Sequence, residues 1–583
     1  MSYLKEILVL LGDDKSKLPK MVMLFLAVSL LDAIGVGLIG PYISLIMNPD
    51  SFDNEFFSKV VQFIGPFENN DIFLITVSLI LVSVFLFKGL AGVFVLKVIT
   101  DFSYRRQVHL RSQLMHVYQS MSYVDYIDRN SAEYVYAVQD LVSKFTGKIM
   151  MLGLKTISDI LIALSLIMVL AWTDIELLFM LLLLVGAVSL IYDRLIRKSV
   201  ELYGKDANIA SSKLVKHLSE GIGGMKEVRV LGKANYFHSS VYDEAVNYAN
   251  NLKITEVLTN IPRHLIEFSL ILFLTIVVVL ELLNNGNIVD LLPTLAMFGV
   301  ASLKLVPSVN SIANGVIQLR FNRNTVSLLF NDVRKFKALK RQNRISLDKK
   351  FDSIELDSLS FQYPKAQTQA ISNISLSIKN GESIGLIGSS GSGKTTLVDV
   401  ILGLLVPSEG EIFLNGEKIN DNMQEWQRMV AYLPQEVFII DDTLKNNIAL
   451  GVEPKDINDK DLKDALERSK LKEVISNLPE GVNTRLGERG ISLSGGQRQR
   501  VAIARAIYHK REVLVMDEAT SALDEQTERE VVNEIKRLKG NVTMIIIAHR
   551  HKTLAYCDRI YRLSNGCIVE SLTYRDLIDG KRE

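Results

Sequence analysis

Two hydropathy regimes divide the chain, long apolar runs in its first part and short β-branched runs alternating with helical patterns in its second. Six apolar runs fall at about 20–47, 72–100, 149–172, 175–197, 257–284 and 288–317. Each is long enough to cross a bilayer of ~30 Å at about 1.5 Å per helical residue. The first begins well after the N-terminus, is too long for the apolar part of a signal peptide and shows no small-residue cleavage pattern, so it is expected to be retained. Connections at 173–176 and 284–287 are minimal and predict two helical hairpins, whereas 101–148 and 198–256 are polar and helix-favouring. Leu110, Leu114, Val117 and Tyr118 recur there at helical spacing, which predicts helices that continue out of the bilayer.

Composition fits this division. The 583 residues are 48% hydrophobic yet 22% charged, too apolar for an ordinary soluble enzyme and too charged for a wholly membrane-buried chain. Lys plus Arg number 66 against 65 for Asp plus Glu, so no charge excess points to a nucleic-acid partner. Cys557 and Cys567 have neither metal nor redox spacing and make no disulfide framework. The segment 48–71 carries Asp50, Asp53, Glu55, Glu68 and Asp71 against one Lys59, while Arg105, Arg106, Arg111, Lys144 and Lys148 follow the second run. Positive loops are retained in the cytoplasm, so both termini are expected there. The predicted organisation is a membrane domain over 1–334, a basic linker at 335–350 and an α/β domain over 351–583.

The α/β domain holds the chemistry. A strand at 383–387 leads into Gly388, Ser389, Ser390, Gly391, Ser392, Gly393, Lys394 and Thr395, and then into a helix that includes Thr396. In that setting the segment is a P-loop, whose backbone N–H groups and helix N-terminus hold phosphate oxygens. Lys394 is placed to neutralise the β and γ phosphates, and the Thr395 hydroxyl to ligate Mg2+. A second strand, Val513, Leu514, Val515 and Met516, delivers Asp517 and Glu518 to the mouth of the sheet. Asp517 suits the Mg2+ shell, and Glu518 can polarise the attacking water; the pair could otherwise merely cap the next helix. Between them, Leu493, Ser494, Gly495, Gly496 and Gln497 open a helix and offer a further anion site, which predicts that ATP lies between two copies of the domain.

In this order these motifs resemble the ATP-binding cassette (ABC) family, and six spans followed by one cassette resemble its half-transporter exporters. The implied fold is an α-helical transmembrane domain of type IV ABC exporter kind, joined to an α/β P-loop nucleotide-binding domain. The resemblance assigns adenine stacking to Tyr363 in FQYP, contact with Mg2+ or water to Gln435 in AYLPQE, communication across the dimer to Asp524 in SALD, and a γ-phosphate contact to His549 after the strand 542–547. Thr484, Gly487, Glu488 and Gly490 resemble the exporter-type loop that touches the cytoplasmic helices, and 123–129 and 221–230 are the expected contact elements. His551, Lys552 and Thr553 depart from the common exporter pattern. ATP and Mg2+ are the implied cofactors, and a homodimer is the implied assembly.

Charges within spans are costly and point to function. Asp32, Lys88, Arg263, His264, Glu267 and Lys304 are such charges, with Pro307 nearby. Lys88, Arg263 and Lys304 are candidates for a cavity that receives a phosphate or pyrophosphate; the alternative is structural pairing of Arg263 with Glu267 and of Lys88 with Asp32. FLFKGL, NIPRHLIEF, SLKLVPSVNSI and GPYISLIM resemble segments of bacterial lipid-linked oligosaccharide flippases. That resemblance implies a polyprenyl-pyrophosphate glycan moved between leaflets of the bacterial cytoplasmic membrane. A phospholipid, lipid A, drug or peptide exporter is the rival, and an ATP-gated channel is disfavoured because no span shows a ring of acids.

Overall fold

The computed structural model describes residues 3–39, 42–43, 46, 70–283, 288–339, 350–364, 366–419, 423–518, 529, 532–533, 536–548 and 551–579. Most of the acidic 48–71 segment, the 284–287 connection expected from the sequence, nearly all of the basic linker, Asp524 and His549 lie outside them. The chain forms two units, one of Met1–Met121 with Asp128–Lys340 and one of Ser122–Ile127 with Arg341–Glu583. The division falls inside the stretch expected to be a linker. It also assigns Ser122–Ile127, read from sequence as part of the membrane domain, to the second unit.

In the first unit six helices among the described residues have the length and apolarity to cross a membrane: Tyr3–Gly37, Leu74–Ser120, Ser131–Thr173, Ile175–Gly223, Ala234–Leu283 and Thr294–Phe321. We refer to them as spans 1 to 6. Span 4 has 49 residues, roughly 70 Å at the helical rise and far beyond a bilayer's apolar thickness. The 3–4 hairpin turns on Asp174, whose carboxylate accepts from the backbone N–H groups of Glu176 and Leu177 and caps span 4. Pro262 sits inside span 5. Leu79, Val82, Leu86, Leu90 and Val93 of span 2 are exposed at helical spacing, an apolar face that suits lipid rather than water.

The spans pack through Val36, Leu166, Leu170, Phe273, Phe298 and Ala301. At Gly204 a Cβ would lie 1.8 Å from the carbonyl oxygen of Phe321, so spans 4 and 6 meet backbone to backbone there. Beyond the apolar stretches, Asp332 accepts from the Tyr118 hydroxyl at 2.6 Å and from Arg129 Nη1 at 3.1 and 3.0 Å. Arg129 also donates to Glu133, tying three helical segments with charge-assisted bonds.

The second unit holds ten strands among the described residues: β1 (Ser353–Phe361), β2 (Ile371–Lys379), β3 (Ser383–Ile387), β4 (Glu409–Leu414), β5 (Glu417–Lys418), β6 (Val430–Leu433), β7 (Val513–Asp517), β8 (Thr543–Ile547), β9 (Arg559–Ser564) and β10 (Cys567–Leu572). An antiparallel sheet runs β2-β1-β4-β5, and a second sheet runs β10-β9-β3-β8-β7-β6. The pairs β3/β8, β3/β9, β7/β8 and β6/β7 are parallel, and only β10 joins the second sheet antiparallel. β3 and β8 are buried at every position, which is why they read as continuous apolar runs. The helix Tyr123–Ile127 sets Tyr123 and Val124 against the main core of this unit.

Candidate functional site

Central strand β3 delivers the chain to the P-loop, and the helix Lys394–Ile401 leaves it. Glycine is required where the loop doubles back. Gly393 has φ +99°, and a Cβ there would stand 2.6 Å from the Ala370 oxygen. Lys394 turns into its own loop, with Nζ donating to the carbonyl oxygens of Gly388 at 2.9 Å and Ser389 at 2.8 Å. Burial pulls its pKa below the ordinary lysine value, while Glu518 and Asp517 oppose that shift. Ser390 and Gly391 form the exposed tip, and Ser392 Oγ lies within 3.4 Å of Lys394 Nζ. Thr395 is exposed at the helix start while Thr396 is buried.

β7 brings Asp517 and Glu518 to the same edge, as its buried apolar run requires. Tyr432 of β6 donates its hydroxyl to Asp517 Oδ2 at 3.3 Å, and Gln435 Nε2 donates to Glu518 Oε2 at 3.2 Å. Glu518 has φ +48°, a left-handed conformation that a non-glycine residue holds at some strain. Burial, and then the nearby Asp517, push the Asp399 carboxyl up to about 6. Burial followed by Asp517 likewise raises the Tyr432 phenol. The donor set of Thr395 hydroxyl, Gln435 amide and Asp517 carboxylate is all oxygen and suits Mg2+. Tyr363 packs edge-on to Phe361 at 5.0 Å between centroids, and its hydroxyl lies 3.4 Å from Thr396 Oγ1 at the P-loop helix.

The segment 493–497 folds as a capped helix start. Ser494 Oγ accepts from the Gln497 backbone, and the Gln497 side chain accepts from the Ser494 N–H, a reciprocal box that leaves Ser494 exposed and Leu493 and Gly496 buried. Upstream, Thr484 is buried, Glu488 and Gly490 form a short helical turn, and Gly487 has φ +72°. Sequence reasoning missed Tyr432 and Asp399. Tyr432 shares the AYLPQE segment with Gln435, and the parallel pairing of β6 with β7 was the available signal.

Each of the three cations chosen within the spans stands beside a carboxylate, the pairing weighed as the alternative for Lys88 and Arg263. Lys88 is 6% exposed and paired with the equally buried Asp32, and Lys304 stands 3.9 Å from that carboxylate. A buried charge needs its partner, and here pairing prevails. Arg263 pairs with Glu267 at 2.9 Å and lines a cavity of about 730 Å³. Lys155, which sequence reasoning passed over, lines the same cavity together with Leu274, Leu303 and Val306.

Comparison with known proteins adds the family. Residues 371–521 match the ABC transporter family, which makes the second unit an ATP-binding ABC transporter ATPase domain. The ATP-dependent lipid A-core flippase of Ralstonia nicotianae is 40% identical over 235 residues, covering 40% of this chain and 40% of that one. Its namesake from Cupriavidus metallidurans is 29% identical over 447 residues, covering 76% and 74%. That from Cupriavidus pinatubonensis is 30% identical over 385 residues, covering 66% and 65%. The chain thus spans between about two fifths and three quarters of the length of these relatives. A solved structure described as a bacterial Atm1-family ABC exporter with ATP bound shares the fold, with a TM-score of 0.78 at 20% identity over 98% of this chain and 97% of that one. Six membrane-length helices are thus joined to one ABC transporter ATPase domain in the fold of that exporter, so that this multi-pass membrane protein has the half-transporter layout.

Proposed function

We propose that the protein is an ATP-driven flippase, acting as a homodimer, that moves an anionic lipid-linked saccharide from the inner to the outer leaflet of the bacterial cytoplasmic membrane. One observation carries the reading: the chain that gathers Lys394, Asp517, Glu518 and Gln435 at one sheet edge also forms an open cavity in its membrane unit with both cationic and apolar walls. ATP binds with its phosphates at the P-loop of one copy and the Ser494–Gly496 turn of the other, and Tyr363 stacks on the adenine. Thr395, Gln435 and Asp517 would hold Mg2+, which neutralises phosphate charge when bound. Glu518 takes the proton of the attacking water, Gln435 orients that water, His549 contacts the γ phosphate, and Asp524 communicates between copies.

Two cargoes share the required chemistry. The sequence reading favours a polyprenyl-pyrophosphate glycan, and the names of the relatives favour a lipid A-core glycolipid. Both join negative charge, sugar hydroxyls and long apolar chains. The test is ATP-dependent flipping of each lipid in proteoliposomes, with Glu518→Gln as the control. ATP hydrolysis without movement of either lipid would overturn the cargo assignment and leave an ABC ATPase of other specificity.

A further inference from the structure

The cavity among spans 3, 5 and 6 carries more chemistry than cations can account for. Its lining includes Asn310 and Asn314, one helical turn apart on span 6. The side-chain oxygen of each is buried without a hydrogen-bond partner among the described residues, an uncommon condition for an amide in a packed interior. Both carry donors and acceptors on one short side chain, and a turn about the terminal torsion exchanges their places. Opposite charge lies near: Lys155 forms no salt bridge with a described residue, and Arg263 engages Glu267 through Nε. Glu267 also lines the cavity, so among the lining residues two cations face one carboxylate, with Asp159 interacting with Lys155 from one turn along span 3. The remaining wall is aliphatic, with Leu274 and Leu303.

Cations recognise a phosphate but read nothing of what it is attached to. Unsatisfied amides do: they gain a hydrogen bond from a ligand that brings its own hydroxyl donors. We propose that Asn310 and Asn314 form a saccharide-reading element, hydrogen-bonding hydroxyls of the sugar nearest the lipid phosphate while Lys155 and Arg263 hold that phosphate and the aliphatic wall receives the first part of the chain. The proposal rests on the flippase reading and deepens it, because it makes the sugar, and not only the charge, a condition of binding.

The test is equilibrium binding to the detergent-solubilised full chain, using matched lipids. One pair is lipid A and phosphatidic acid; the other is a polyprenyl-pyrophosphate disaccharide and bare polyprenyl pyrophosphate. Wild-type protein is expected to prefer the sugar-bearing member of at least one pair by about tenfold or more, and the preferred pair identifies the source of the cargo. In Asn310→Ala/Asn314→Ala the preference collapses while affinity for the sugar-free lipid holds. In Lys155→Met both members of the pair weaken together. Absence of a wild-type preference overturns the proposal without recourse to any variant. A preference that survives the double substitution in a protein with an unchanged unfolding midpoint overturns it as well, as does an unweakened Lys155→Met. Failure of the flippase reading is separable: lipids would then bind with the stated preference yet stay in their leaflet when ATP is hydrolysed.

Discussion

Gln435 Nε2 donates to Glu518 Oε2 across 3.2 Å, so the glutamine expected to attend the nucleotide grips the carboxylate expected to activate water. Glu518 is held with φ +48° just past the end of β7, joined through its backbone N–H to the Ile547 oxygen. Such a carboxylate is aimed by the backbone and steadied by its neighbour before any substrate arrives. Replacing Glu518 by Gln keeps the shape and removes the base. ATP turnover is expected to fall about 100-fold or more, with nucleotide affinity retained; phosphate release and equilibrium ATP binding on the same preparation check both halves.

A second prediction concerns the membrane pair. Asp32 and Lys88 are each 6% exposed, so Lys88→Met strands a buried carboxylate. The loss is expected to be about 3–5 kcal/mol, read as a lower unfolding midpoint in detergent, and Asp32→Asn added to it should recover most of the loss. Equal midpoints for wild type and Lys88→Met would show that Lys304 alone satisfies Asp32.

pH offers a third. Burial, reinforced by Asp517, raises Asp399 from 3.8 to about 6. A group whose folded pKa exceeds its unfolded value stabilises the fold below the unfolded value, and that contribution is lost as pH rises through the folded value. Between pH 3.8 and about 6 the nucleotide-free protein therefore sheds stability at this site. With solvent screening discounted, the expected size is about 1–2 kcal/mol. Asp399→Asn carries no such charge, so its stability advantage over wild type should grow across that window. Parallel curves for the two proteins would refute it.

Gly204 supplies a fourth. Because a Cβ would meet backbone at 1.8 Å, Gly204→Ala forces spans 4 and 6 apart. We expect a loss of at least about 2 kcal/mol, read from thermal unfolding. Gly186 of the same span, with nothing within 4 Å of the place its Cβ would take, should accept Ala within about 1 kcal/mol.

A fifth concerns the Tyr118, Arg129 and Asp332 node. Arg129→Ala removes both bonds from Nη1 and leaves the mostly buried Asp332 carboxylate on Tyr118. The unfolding midpoint should drop by an amount corresponding to about 1–3 kcal/mol, with Arg129→Lys intermediate because an ammonium cannot reproduce the fork.

The cassette was legible because its chemistry demands fixed residues on contiguous pieces of chain. A buried strand, a glycine loop and a helix start appear within some dozen positions around Lys394, and each part constrains the next. The spans were legible as lengths for the same local reason. Which way a side chain faces within them was not, since lipid and packed helices are equally apolar and no polar face marks the inside. Lys88 and Asp32 could be offered as a pair but not chosen as one over a cavity. Asn310 and Asn314 went unread because charges within the runs drew attention and amides did not; Lys155 is a charge within the 149–172 run and was passed over all the same. The assignment of Ser122–Ile127 to the cassette unit depends on packing by Tyr123 and Val124, which no spacing within the segment announces.

Lys394 gives the P-loop a threshold. Its ammonium already rests on the Gly388 and Ser389 carbonyls, so an incoming anion competes with the loop's own oxygens rather than entering a vacant positive hole. A lone inorganic phosphate offers the lysine little beyond what it surrenders, whereas a polyphosphate anchored by its base and sugar delivers charge at high local concentration. The same contacts favour a tethered polyphosphate over a lone anion in the competition for Lys394.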